Sequence, residues 1–197
     1  MDGHDLRRWH DIGYLLQGSE AQRRAYRILT DRQILDHLEP YDAVLAGTFP
    51  LDLAVAGSDL DILCEVHAHS LFAVHVEHCF GKQNGFQLEN TGRVGSQATI
   101  VNFVVDSLPV QLFGEQTPVA EQAAYLHMDV EYRLLELGGM KARERILELK
   151  KAGIKTEPAF AAWLGLDGDP YAALLELASF SDEGLSIWYR GRAGGGG

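Results

Sequence analysis

Between two short apolar runs, YDAVLAG (41–47) and DLDILCEV (59–66), lie only residues 48–58, and that segment contains Pro50 and Gly57. Each run has the length and composition of a buried strand. Parallel neighbours in a sheet need a crossover of a dozen or more residues, usually a helix. A segment this short, interrupted by proline and glycine, supplies no such helix. The two strands are therefore expected as antiparallel neighbours joined by a loop. This excludes a doubly wound sheet at the front of the chain, and no G-x-G-x-x-G follows either strand.

The flanking patterns extend this start. Ser19-Glu-Ala-Gln22 is a capping box, so a helix is expected from there to about Leu38, with Ala25, Ile28, Leu29 and Leu35 on its apolar stripe and Pro40 ending it. Residues 69–80 read as an amphipathic helix closed by Gly81. FQLENT (86–91), ATIVNFVVD (98–106) and LPVQLFG (108–114) read as three strands, the last two joined by a tight hairpin at Asp106-Ser107. Thr117-Pro118 opens a helix with proline at its first position. Its stripe is expected at Val119, Ala123, Leu126, Val130, Leu134 and Leu137, stopping at Gly138-Gly139. Three shorter helices follow, at about 140–152, 157–164 and 170–178. The expected fold is α+β: a mixed sheet of about five strands covered by helices, with a helical C-terminal part. The expected division is a core over 1–137, a helical extension over 138–190 packed on it, and a flexible tail over 191–197.

Of 197 residues 46% are apolar, enough for a real core. No run approaches the ~20 apolar residues that span a bilayer. MDGHDLRRWHDIGYLL lacks the basic and continuous apolar regions of a signal peptide, and Cys64 and Cys79 lie in apolar segments, as buried reduced thiols do. These features describe a cytoplasmic protein with no membrane partner. A formal charge of −11 argues against long nucleic acid as a partner. Lys141, Arg143, Arg145, Lys150, Lys151 and Lys155 form the one basic stretch, interleaved with Glu144 and Glu148. It reads as a solvated helix face with ion pairs, or else as a basic wall beside an anionic ligand.

Asp59 and Asp61 concentrate the chemistry. Residues i and i+2 of a strand share a face, roughly 6.5–7 Å apart. Two carboxylates that close repel unless solvated, protonated or bridged by a cation. Mg²⁺ (or Mn²⁺) suits them, because it takes one or two carboxylates and completes its shell with waters and substrate phosphates. Gly47-Thr48 and Gly57-Ser58 add hydroxyls and accessible N–H groups for phosphate. A lone D-x-D at a strand end is common and usually only solvated. Lys155, before a helix start, faces either solvent or a phosphate. His75, His78 and Cys79 share a helix face, but no fourth ligand completes a zinc site, so they read as packing.

The Gly47-to-Asp59 spacing, with SDLDIL directly after Gly57, resembles the signature of the nucleotidyltransferase superfamily. In that signature a Gly-Ser or Gly-Thr after the first strand precedes D-x-D on the second. YLLQGS (14–19), AGTFPLDLAVAGSDLDILCEV, PVQLFGEQTPVAEQAAYLHM and GIKTEPAFAAWLGLDGDPYAALL are together similar to a small bacterial family, domain of unknown function 4269. The resemblance implies metal-dependent transfer of a nucleotidyl group from a nucleoside triphosphate, and the family itself implies no established substrate; the charge points to a hydroxyl acceptor on a small molecule or a protein. The resemblance further implies that Gln122, Tyr125 and His127 of QAAYLHM help line the site. Another expectation for that helix is an i,i+4 pair between His127 and Glu131. The resemblance also implies a third carboxylate on a later strand, yet the matching position holds Gln111, flanked by Asp106 and Glu115. The loop 48–58 also lacks the arginine that transferases often carry there. The alternative is a lapsed member that binds a nucleotide or a protein without turnover.

Overall fold

A computed structural model describes residues 8–92 and 97–193. The chain divides into two compact units, Met1–Gln122 and Ala123–Gly197. The break at Gly138-Gly139, where the sequence suggested a division, lies inside the second.

The first unit opens with a 3-10 turn, Ile12–Gln17. Helix α1 (Glu20–Asp31) follows, its N-terminus closed by the expected capping box. The helix does not continue to Leu38. Gln33 takes a left-handed conformation (φ 51°) and a separate turn, α2 (Ile34–His37), follows. The break turns Ile34 and Leu38 fully into the core, whereas Leu35, on the expected stripe, is only partly buried.

Strands β1 (Val44–Ala46) and β2 (Leu60–Glu65) pair antiparallel, as the short connection requires. Helix α3 (His69–Phe80) ends at Gly81, whose N–H bonds Glu77 O. Strands β3 (Asn84–Thr91), β4 (Ala98–Val105) and β5 (Leu108–Glu115) complete a sheet of order β1-β2-β5-β4-β3. Only β2 and β5 are parallel, so the sheet is mixed. The β4–β5 hairpin turns at Asp106 (φ 47°) and Ser107 (φ 64°), both left-handed, which matches the twist of a two-residue hairpin.

Side chains of a strand alternate between faces. Leu60, Ile62, Cys64, Val101, Phe103, Val105, Val110 and Leu112 lie on one face and pack with Ala25, Ile28 and Leu29 of α1 and Phe72, Val76 and Phe80 of α3. Each Val, Leu, Ile or Phe among them, moved out of water, contributes about 1.5–3 kcal/mol. Asp61 and Glu65 of β2, Asn102 of β4, and Gln111 and Glu115 of β5 are left on the other face.

After Pro118 a single 3-10 turn (Val119–Glu121) intervenes, and Gln122 is extended. Helix α4 (Ala123–Lys151) therefore starts later than Thr117-Pro118 suggested, with its phase reset. Ala123, expected on the stripe, is exposed, while Tyr125, Met128, Val130, Leu134 and Leu135 are buried. The helix is broken where the sequence put its stop, at Gly139 (φ 61°, ψ −152°), a conformation open to glycine alone. Lys150 Nζ lies 2.6 Å from Thr156 Oγ1, and the next residue, Glu157, comes within 4.0 Å of His127 Nδ1, so the second half folds back beside the first. At Gly138 a Cβ would lie 2.5 Å from Ala142 Cβ and 2.6 Å from the Trp163 ring.

Helices α5 (Thr156–Leu164) and α6 (Pro170–Ala178) fall close to expectation. A further helix, α7 (Asp182–Ala193), takes up the start of the expected flexible tail, and residues 194–197 lie outside the described residues. Buried Arg133 joins α6 to α7: it donates to Asp182 Oδ1 (2.8 Å), Ala178 O (3.5 Å) and Phe180 O. Among the described residues no helix is long and apolar enough to cross a membrane.

Candidate metal and nucleotide site

Strand β1 stops at Ala46, in register with Asp61 of β2. Gly47 then turns the chain away with φ 70°. A Cβ built on Gly47 would lie 2.3 Å from Asp61 Oδ2. The Asp61 carboxylate thus rests against the bare Cα of Gly47. The two ends of the sequence motif, separate along the chain, are one contact in space.

Loop 48–58 is ordered by its own backbone. Leu53 N–H donates to Thr48 O (2.9 Å), and Ser58 N–H donates to Val55 O (3.0 Å). Ser58 Oγ accepts from Val55 N–H (2.9 Å), so its hydroxyl closes the turn and keeps its own proton to donate. Phe49, Leu51 and Leu53 are buried beneath the loop, while Gly57 (φ 89°) has open space where a Cβ would stand.

Asp59 immediately precedes β2 and Asp61 lies within it, both half-buried. Asp59 has no hydrogen-bond or ion-pair partner among the described residues. Two hard oxygen donors on one face, beside exposed N–H groups, fit the few-carboxylate requirement of Mg²⁺. Among the described residues no group of three or more His, Cys, Asp or Glu side chains could hold a metal.

Gln111 of β5 stands in register with Asp61, and Asn102 of β4 in register with Gln111. Gln111 Nε2 donates to Asn102 Oδ1 (3.0 Å). The residues beside Asp61 across the sheet are therefore two neutral amides tied to each other. The flanking carboxylates do not replace the missing charge. Asp106 sits in the hairpin turn, where it accepts from Arg32 (2.8 Å), and its carbonyl accepts from Arg24 (2.6 Å). Glu115 is at the far end of β5, in register with Glu65, and burial raises its pKa above the ordinary 4.5.

Gln122 is buried in the first unit and donates to Cys64 O (3.0 Å) and Thr117 O (2.9 Å). It fastens the end of that unit to β2. Tyr125, His127 and Lys155 belong to the second unit. Tyr125 is buried, and His127, also buried, donates through Nε2 to Tyr171 O (3.0 Å) and holds Nδ1 4.0 Å from Glu157 Oε1. His127 Nδ1 thus faces Glu157, where the sequence suggested Glu131. Lys155 is exposed at the start of α5. In the basic stretch Arg145 pairs with Glu148 (3.1 Å) and Lys150 donates to Thr156 Oγ1 (2.6 Å). His75 Nε2 donates to His37 O (2.7 Å) with Cys79 Sγ 3.7 Å away, a packing arrangement.

Asn102 escaped the sequence reading, although a two-residue hairpin at 106–107 places 102 opposite 111. Gln22 also escaped it, beyond its role as a cap.

A Cid1 poly(U) polymerase structure matches 84% of this chain at 13% identity with TM-score 0.51, over 54% of its own length. A cytoplasmic RNA terminal U-transferase matches 80% at 16% identity with TM-score 0.51, over 47% of its length. The chain spans about half of each. Among curated proteins none matches it. The mixed five-stranded sheet, helix-covered on one face and carrying the aspartate pair on the other, is the nucleotidyltransferase fold. Within that class the chain belongs to the family described as domain of unknown function (DUF4269), whose model matches residues 27–177.

Proposed function

We propose that this protein transfers a nucleotidyl group from a nucleoside triphosphate to a hydroxyl acceptor, using Asp59 and Asp61 to hold Mg²⁺ or Mn²⁺. The observation that carries the reading is the seat of the Asp61 carboxylate against Gly47. It brings the metal ligand and the Gly47-Thr48 turn within one contact, as a triphosphate bound to both metal and backbone requires. The ion, when bound, supplies charge neutralisation at the phosphates. Thr48 and Ser58 hydroxyls and the N–H groups near Gly47 and Gly57 orient the triphosphate. The acceptor oxygen forms its bond to the α-phosphorus as the bond to the bridging oxygen breaks, and pyrophosphate leaves with that electron pair. Gln111 is no base, so the acceptor proton passes to water. The charge of −11 favours a small-molecule or protein acceptor in the cytoplasm over a long nucleic acid.

Calorimetric titration of ATP, GTP, CTP and UTP with Mg²⁺ tests it. Wild type should bind at least one, and Asp59→Ala and Asp61→Ala should lose that binding while staying folded. No binding to any nucleotide by the folded wild type sinks the reading.

The Gln111–Asn102 hydrogen bond favours a second reading, a lapsed enzyme that binds without turnover. Gln111→Glu separates the two. A gain of transfer activity in that variant identifies the natural protein as lapsed, while an active wild type that the change does not improve supports the enzyme.

A further inference from the structure

Gln22 is 5% exposed, and both ends of its amide are used. Its Oε1 accepts from Ser19 N–H (3.3 Å), completing the capping box of α1. Its Nε2 reaches across 27 positions to donate to Phe49 O (2.7 Å) and Pro50 O (3.3 Å). Those carbonyls directly follow Gly47-Thr48. Gly18 makes room for the arrangement, because a Cβ there would lie 1.5 Å from Gln22 Oε1. A capping box is served as well or better by glutamate. Glutamate, when ionised, has no N–H to give the loop carbonyls. The cap therefore does not explain the glutamine, and the loop does.

We propose that Gln22 is a positioning residue for the phosphate-binding loop. It fixes the 48–58 backbone against α1, so that the loop's donors meet the triphosphate already arranged. The inference rests on the reading of this loop as a nucleotide site. With the tether cut, the Phe49-Pro50 backbone gains freedom that the loop's own hydrogen bonds do not remove, and restricting it on binding is subtracted from affinity for the nucleotide. Affinity of the aspartate pair for a bare cation is untouched.

Gln22→Glu keeps the cap and removes the tether. Its expected Kd for the Mg²⁺–nucleotide complex is about tenfold above wild type, the scale of one lost buried hydrogen bond. Mn²⁺ affinity without nucleotide should be unchanged. Lowering the pH protonates the buried carboxyl that this substitution introduces, which can then donate to Phe49 O. The ratio of variant to wild-type Kd should shrink toward one in acid for Gln22→Glu and stay constant for Gln22→Met. A merely structural glutamine predicts no such split and no acid rescue. Amide exchange of residues 48–58 without nucleotide reads the tether directly and should quicken in both variants. Wild-type Kd in both variants, or unchanged exchange, overturns the inference. If wild type binds no nucleotide, the functional reading falls together with the role assigned to Gln22, and the exchange result alone decides whether the tether exists.

Discussion

Gly47→Ala should damage the protein in two separable ways. At φ 70° an alanine is held in the left-handed region, at roughly 1–2 kcal/mol. Its Cβ would also lie 2.3 Å from Asp61 Oδ2, about 1 Å inside ordinary contact. Asp61 must swing off its rotamer to relieve this, costing roughly 0.5–1.5 kcal/mol more. The sum is about 1.5–3.5 kcal/mol in urea unfolding, with weakened Mn²⁺ binding because a ligand has moved. A double-mutant cycle isolates the second part. In an Asp61→Ala background the nearest remaining atom is Cβ of residue 61, at 3.4 Å, so only the backbone cost persists. The coupling energy between the two sites should therefore be about 0.5–1.5 kcal/mol. Gly57→Ala is the control: φ is 89° but nothing stands within 4 Å, so it should lose stability through the backbone alone and show no coupling to Asp61. Equal costs for Gly47→Ala in both backgrounds would refute the claim that the carboxylate and the glycine are packed as one unit.

Arg133→Met, which keeps the stem and removes the donors between α6 and α7, should cost about 2–4 kcal/mol by chemical denaturation; a loss under about 0.5 kcal/mol would show that the guanidinium does not hold this junction. Glu131 is 3% exposed with Oε1 unpartnered; burial first, then the charge of Glu157, lifts its pKa well above 4.5, against the opposing pull of Lys150. The folded state binds this proton more tightly than the unfolded chain, so its contribution is fullest below the unfolded pKa and is lost as pH rises through the folded one. Glu131→Gln should accordingly gain in Tm over wild type as pH climbs from about 4 to about 8, and a pH-independent difference would contradict that sign.

What was legible in the sequence was set by chain length and local period. A loop of 48–58 can join only antiparallel neighbours, and period-two alternation put Asp59 and Asp61 on one face. What escaped was set by residues that break their own local rules. Gln33 and Asp42 adopt left-handed conformations that glycine or asparagine usually announces. Helix α7 carries Gly184 and Gly191, which depress helix propensity, although Ser181 stood ready as its cap and accepts from Gly184 N–H.

Asn102 is a different kind of miss, because the sequence did contain it. Once Asp106-Ser107 is a two-residue turn, register follows by counting outward, and Val105↔Leu108 leads to Asn102↔Gln111. That pairing changes the meaning of the glutamine. Alone, Gln111 is a carboxylate missing one charge. Bonded to Asn102, it is half of a neutral pair in which the Gln111 amide N–H is held by the Asn102 carbonyl oxygen. A glutamate at 111 would still find the Asn102 N–H group after an amide flip, so the neighbour tolerates the charged form. The neutrality of the site beside Asp61 therefore rests on the single residue Gln111 and not on a rebuilt sheet. With Gly47 and the Asp61 carboxylate already in contact, Gln111→Glu would place a second carboxylate in register with Asp61 by a single substitution.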